Sequence, residues 1–266
     1  MRNLKLIVSY DGTDFAGWQV QPDAPSIQGT LATAVGRITG EKVLPQGSGR
    51  TDAGVHALGQ VVSFGTESVI PAANFVVALN DLLPASVRVL AAEEMPAEFH
   101  ARKSARAKTY RYRIFRGAVC SPFVARYVWH FPYPLDEAAM APAAGLVVGE
   151  HDFTSFAAVD PERGLQKNLN HQGHRVTLSN PELLNVRTIF SSAWQRDGDE
   201  FVYTVRGSGF LHHMVRNLVG TFILVGKGTL AVKDVERILT ARDRSAAGAT
   251  APASGLSLVD VEYSRD

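Results

Sequence analysis

The sequence predicts an α+β protein of two halves with mainly antiparallel sheets. Three observations lead there. Leu4, Leu6, Val8 and Tyr10 alternate with more polar neighbours, as do Tyr110, Tyr112 and Ile114, and again Phe201, Tyr203 and Val205, which is the period of half-buried strands. Ile27, Leu31, Ala34, Val35 and Ile38 recur at helical spacing, as do Leu211, Met214, Val215, Leu218, Val219, Phe222 and Ile223. Strands and helices follow one another in a similar order in both halves.

The elements can be justified in turn. The first strand ends in the turn Asp11-Gly12-Thr13. Ser26 is placed to cap the first helix and Gly40 to end it. A glycine-rich loop, Gly47 to Gly54, leads into a short strand through Val61, Val62 and Phe64. A helix through Val76, Leu79 and Leu83 stops at Pro84, and a strand from Val87 to Leu90 completes the half. In the second half, Asp136 is placed to cap a helix that Pro142 shortens or kinks. The Leu211 to Ile223 stripe marks the clearest helix; a smaller one runs through Val232, Val235, Ile238 and Leu239, and a last strand spans Leu256 to Tyr263. This order fits two ferredoxin-like (RRM-like) units over 1–104 and 105–266, although no internal repeat proves duplication. Residues 157–184 carry Asp, Asn, Pro, Gly and His without a sustained period, so they read as an inserted surface loop.

Composition narrows the class. The 266 residues are 45% hydrophobic and can bury a core without crosslinks. The single cysteine, Cys120, can make no internal disulfide. The N-terminal apolar run is too short for a signal peptide, and no stretch approaches the ~20 apolar residues of a membrane span. A cytoplasmic protein with no membrane partner is expected. Lys+Arg 27 against Asp+Glu 26 excludes a chain that is basic throughout, yet a local patch suffices for nucleic acid. Phe99 to Arg116 supplies Arg102, Lys103, Arg106, Lys108, Arg111, Arg113 and Arg116 without an acidic residue, interleaved with Tyr110, Tyr112 and Phe115. Composition alone fits a phosphate-binding surface and a solvated strand face equally.

The strongest motif is Gly47-Ser-Gly-Arg-Thr-Asp-Ala-Gly-Val-His-Ala57. Glycines at this density permit unusual dihedrals and close backbone approach. Arg50 and Asp52 share the bent loop, which presents either a carboxylate to a ligand or a turn with a surface ion pair. The loop lacks the Lys-Ser/Thr ending of a nucleotide-cradling motif, and Gly220 to Gly228 misses that spacing by one residue and lacks the magnesium-binding hydroxyl. A nucleotide cofactor is therefore not expected. No Cys or His cluster has metal-ligand spacing; His212 and His213, placed on a helix, would diverge by about 100°. On that helix His212, Arg216 and Gly220 lie off the centre of the apolar stripe, so Arg216 faces a cleft or snorkels to solvent.

Taken together, these motifs closely resemble those of the tRNA pseudouridine synthase A family. The resemblance covers nearly the whole chain: Tyr10-Asp11-Gly12-Thr13 with Gly17-Trp18-Gln19, Gly49 to Ala57 with Gly59-Gln60-Val61, Leu79-Asn80 with Leu83-Pro84, Phe99-His100-Ala101-Arg102, Tyr110-Arg111-Tyr112, Asp152-Phe153 with Ser155-Phe156, Gly209-Phe210-Leu211 with Met214-Val215-Arg216, and Ala251-Pro252 with Gly255-Leu256. It implies a pseudouridine synthase core with a central cleft. It also implies that Asp52 is the catalytic aspartate, Tyr110 the ring stacked on the target uracil, Arg216 the partner of the catalytic carboxylate, and Arg50 the arginine that helps expel the base. The family acts as a homodimer on uridines 38, 39 and 40 of the tRNA anticodon stem-loop, without metal or cofactor. The stretch 157–184 is longer than the family's usual connection.

These residue types suit that chemistry. Isomerisation to pseudouridine breaks a C–N glycosidic bond and joins C5 to the sugar carbon, so no atom enters or leaves and no redox cofactor is required. The base must first leave its stack, at a cost of a few kcal/mol, and stacking on an aromatic ring returns roughly 1–3 kcal/mol. Asp52 can act as nucleophile at the sugar carbon, as a base toward a ribose proton, or by addition to the uracil ring. Arg102, Lys103, Arg106 and Arg111, with His212, are the expected RNA-contacting residues. Two other classes fit part of the pattern: a non-catalytic RRM-like RNA binder, which needs no Arg-Thr-Asp loop, and an N-glycoside hydrolase, which would release free uracil.

Overall fold

The computed structural model describes residues 1–159 and 185–264, so most of the expected insert, 160–184, lies outside the described residues. The fold is mixed α/β with a large, mostly antiparallel sheet. The chain divides into two compact units. One comprises Met1–Pro132, Gln195–Arg206 and the chain from Pro252 on; the other comprises Tyr133–Trp194 and Gly207–Ala251.

The first unit opens with β1 (Arg2–Tyr10), whose Leu4, Leu6, Val8 and Tyr10 are buried in alternation as the pattern predicts. Helix α1 (Ile27–Thr39) is capped by Ser26 Oγ, which accepts from the Gly29 amide at 3.2 Å, and ends at Gly40 with φ 75°. After the short β2 (Gln46–Gly47) comes β3 (His56–Thr66), much longer than the expected strand. Polar Gln60 and Ser63 hid its length, because both are buried and serve hydrogen bonds rather than a solvated face. Helix α2 (Ala72–Leu82) buries Phe75 and Leu79, and Asn80 locks the following strand by bonding both the amide and carbonyl of Val89 at 2.9 and 2.8 Å. Strand β4 (Val87–Met95) runs beyond the expected Leu90 and pairs antiparallel with β1.

Next come β5 (Ala105–Phe115), the two-residue β6 (Trp129–His130), the end of β8 (Val186–Asp197), β9 (Glu200–Gly207) and β10 (Leu256–Tyr263). Through this unit the strands lie in the order β4-β1-β3-β10-β5-β9, with β2 on β3 and β6 on β5. β10 pairs antiparallel with β5 but parallel with β3, and only through Ser257↔His56 and Leu258↔Ala57. Tyr110, Tyr112 and Ile114 are buried on β5 while Arg111 is exposed, as the alternation predicts.

In the second unit α3 (Glu137–Gly145) begins where Asp136 Oδ1 accepts from the Ala139 amide at 3.0 Å, and it accommodates Pro142 within its span. Strand β7 (Gly149–Asp152) pairs antiparallel with β8. The apolar helix α4 runs Met214–Gly226, and α5 runs Asp234–Ala241. Leu211 and His212 were expected inside α4 but precede it. His213 takes a left-handed conformation (φ 59°) at the helix cap, which a continuing right-handed helix does not allow. His212 and His213 consequently do not diverge; their rings lie 4.0 Å apart between centroids. Among the described residues, no helix is long and apolar enough to cross a membrane.

Candidate active site

Asp52 lies in the turn between β2 and β3, half-buried, on a loop whose backbone is tied down from several directions. Thr51, its neighbour, is buried; its Oγ1 lies 2.8 Å from the Tyr10 hydroxyl at the end of β1, and its carbonyl accepts from the Trp18 amide at 3.0 Å. Gln60, fully buried on β3, donates to the Gly49 carbonyl at 2.9 Å and accepts from Ser48 Oγ at 2.7 Å. Lys108 on β5 donates to the Ser48 carbonyl at 2.7 Å. Each bond contributes about 1 kcal/mol net, and leaving one of these buried groups unmade costs more. The network therefore specifies one loop conformation.

Two glycines let the segment after β1 lie directly on this loop. A Cβ at Gly17, which has φ +97°, would stand 2.7 Å from the Thr51 carbonyl oxygen and 3.1 Å from the Asp52 carbonyl carbon. A Cβ at Gly12 would stand 2.0 Å from the Val55 oxygen. Backbone thus packs on backbone with no side chain between.

Tyr110 is 7% exposed on β5. Burial pushes its phenol well above the ordinary tyrosine value, and the Tyr10 phenol and the Asp52 carboxylate add in the same direction. Tyr110 is therefore a neutral ring within the electrostatic reach of Asp52. Tyr10 itself is pushed up to about 12 by burial, against the opposing hydrogen bonds of Thr51 and Gln60.

The cations of the Asp52 loop and the basic segment separate into two groups. Arg50, Arg102, Lys103, Arg106 and Arg111 are exposed, and Arg106 donates to Ser264 Oγ at 2.9 Å. Other members of the basic segment are spent within the fold: Lys108 on the loop, Arg113 in a two-bond pair with Glu200 at 2.6 and 2.5 Å, and Arg116 on the Phe131 carbonyl. The local basic patch is therefore narrower than the run of charges from Phe99 to Arg116 suggests.

Asp52, Tyr110 and Arg50 belong to the first unit; Arg216 and His212 belong to the second. Arg216 is half-buried on the first turn of α4, where its Nε donates to the Ala251 carbonyl at 2.7 Å and its own carbonyl accepts from the Ala251 amide at 3.1 Å. A polar seam continues along the helix. Asn217, fully buried, donates to the Phe156 carbonyl at 2.7 Å and accepts from Thr250 Oγ1 at 2.7 Å and Arg244 at 3.0 Å. His212 Nδ1 lies 3.2 Å from the Val159 carbonyl.

Sequence reasoning missed Tyr10, Thr51, Ser48 and Gln60 as the supports of Asp52. Gln60 offered a signal: a polar residue immediately before the apolar run Val61, Val62, Phe64. His56 lies in the same motif, four residues after Asp52.

A family model described as tRNA pseudouridine synthase matches residues 6–102 and 143–264. The tRNA pseudouridine synthase A of Solibacter usitatus is 52% identical over 263 residues, covering 99% of this chain and all of the relative. That of Moorella thermoacetica is 44% identical over 263 residues, covering 98% of this chain and 99% of the relative, and that of Brevibacillus brevis is 43% identical over 263 residues, covering 99% and 100%. The chain belongs to the tRNA pseudouridine synthase family, isomerases that act on uridines of tRNA.

Proposed function

We propose that this chain converts uridine to pseudouridine at positions 38, 39 and 40 of the tRNA anticodon stem-loop, with Asp52 as the catalytic carboxylate. The observation that carries this reading is the placement of Asp52 on a loop locked by buried polar groups, with its charge felt by the buried Tyr110 ring. Preorganisation of this kind is what a displaced base requires, since misplacing a reacting group by 1 Å costs about 10²-fold.

In the reaction the N1–C1′ bond breaks, the uracil turns, C5 bonds to C1′, the C5 proton leaves to solvent and the freed N1 takes up a proton, so the product is an isomer of the substrate. Asp52 drives the first step, either at C1′ or by taking a ribose proton. Tyr110 supports the extruded ring, and Arg50 helps expel it. Arg216 keeps the role the family resemblance gives it, the cation that favours the ionised carboxylate, and its bond to Ala251 fixes its stem. Exposed Arg102, Lys103, Arg106 and Arg111 meet stem phosphates, with His212 as a further RNA contact. The enzyme works as a cytoplasmic homodimer, without metal or cofactor.

We infer that the fold comprises two ferredoxin-like units, 1–104 and 105–266. The element order β1-α1-β2-β3-α2-β4 with strands arranged β4-β1-β3-β2, each neighbouring pair antiparallel, supports it for the first. For the second, the arrangement β10-β5-β9-β8 repeats that order.

The test is release of tritium from tRNA labelled at uridine C5, with nucleoside analysis of the digested product. Tritium release with pseudouridine mapped to 38, 39 or 40 is the expected result. Free uracil would make the protein a hydrolase, and tRNA binding without either product would make it a binding module. Tyr110→Phe is expected to keep part of the wild-type rate in the same assay, because stacking survives loss of the hydroxyl. Complete loss would assign the hydroxyl an indispensable role.

A further inference from the structure

Asp52 is followed by a second anchor that the proposed chemistry does not use. His56, at the start of β3, is 3% exposed. Its Nδ1 accepts from the Gly12 amide at 3.1 Å and lies 3.2 Å from Asp11 Oδ1. Asp11 is itself held: Thr13 donates to Oδ1 from its amide and hydroxyl at 3.0 and 2.6 Å, while Arg126 and the Tyr127 hydroxyl each reach Oδ2 at 3.2 Å. Arg126 also pairs with Asp14 at 2.6 Å, and the Tyr127 ring meets the imidazole edge-on at 5.2 Å. Between Asp52 and His56, the Val55 amide bonds the Asp52 carbonyl at 3.1 Å and the Val55 carbonyl sits against Gly12.

We propose that His56 is a positioning residue for the isomerisation: its ring accepts from the amide of Gly12, whose neighbour Asp11 is braced by Arg126 and Tyr127, and this locks Gly54 to His56 onto Gly12 and so sets the direction in which Asp52 points. The inference rests on the reading of Asp52 as catalytic. Thr51 and the bonds of Ser48 and Gly49 hold the loop ahead of the carboxylate, and His56 holds the chain that follows it. Packing does not require a polar ring here, since an aliphatic side chain of similar volume fills the space without desolvating nitrogens. What the ring adds is a fixed acceptor for one amide, directly across from the reacting loop. Burial depresses its affinity for a proton, against the pull of Asp11 and the backbone of Arg126 and Ser254, so the acceptor lone pair stays open at neutral pH.

His56→Leu keeps the volume and removes the acceptor, while His56→Asn returns an acceptor near the Nδ1 position. The measurements are kcat and KM for tRNA well below the unfolding temperature, with thermal unfolding of each variant. His56→Leu is expected to lower kcat about 30-fold with KM within about 3-fold, and His56→Asn to recover at least about 5-fold of that loss. Wild-type kcat in His56→Leu overturns the proposal. So does a loss that His56→Asn does not relieve and that follows thermal stability alone. If His56→Leu does not fold, Tyr127→Phe loosens the Asp11 brace from the rim; about 3-fold lower kcat at constant KM supports positioning, and unchanged kcat overturns it. An active Asp52→Asn enzyme overturns the catalytic reading and this inference together, whereas normal kcat in His56→Leu beside an inactive Asp52→Asn overturns this inference alone.

Discussion

Asp52→Asn is expected to give a folded protein that binds tRNA within several-fold of wild type and makes no detectable pseudouridine. The exchange is isosteric, and the contacts that hold the loop survive it: the backbone bonds of Trp18 to Thr51 and Val55 to Asp52, and the Tyr10–Thr51 hydroxyl pair. What disappears is the negative charge and with it both nucleophilicity and basicity. A positioned base alone contributes about 10²–10⁴-fold, and loss of a nucleophile commonly costs more, so the rate should fall by about 10⁴-fold or beyond. Affinity should change little, because most hydrogen bonds to nucleic acid reach phosphate and sugar from residues elsewhere on the surface. Filter binding and single-turnover tritium release measure the two quantities separately. Parallel loss of both would place Asp52 among docking or folding residues instead.

Why the elements around the Asp52 loop were readable in the sequence while the supports of that loop were not follows from the range of each signal. Strand alternation and helix stripes are local, so β1, α1 and β10 stand where the pattern puts them. The stripe of α2 was read through Val76, yet Phe75 is the residue turned fully inward, since the partner element chooses the face. The start of α4 was set by His213, a left-handed residue that apolar periodicity does not register. The anchors of the Asp52 loop come from the end of β1, the middle of β3 and β5, segments far apart in the chain. Their polar side chains look like surface positions until the fold buries them together. The basic run was legible as charge, but not which of its members the fold would claim: Arg113 goes to Glu200 and Lys108 to the loop carbonyl, both internal tasks.

The mount of Arg216 depends on a glycine. Gly220 lies one turn further along α4, fully buried, and a Cβ there would stand 1.7 Å from the Ala249 carbonyl oxygen and 2.9 Å from its carbon. Residues 244–251 lie along the helix through the Asn217–Thr250 bond at 2.7 Å, the Thr221 hydroxyl accepting from the Gly248 amide at 2.9 Å, and the reciprocal Arg216–Ala251 pair. Gly220→Ala must push this segment off the helix, breaking buried hydrogen bonds as it moves. Helix propensity favours alanine by about 1 kcal/mol, whereas forcing atoms into a packed contact costs about 1–3 kcal/mol, and each orphaned buried group adds about 1–3 kcal/mol. The clash wins, with a net loss of about 3 kcal/mol and a fall in Tm of about 10 °C. Gly145, at the exposed end of α3 with nothing within 4 Å of an added Cβ, is the control. Gly145→Ala should raise stability by about 0.5 kcal/mol, so the same substitution carries opposite signs at the two sites. Calorimetry of both variants decides the matter, and a Gly220→Ala protein as stable as wild type would mean that residues 248–251 do not need their close contact with α4 and that Arg216 is held by other means.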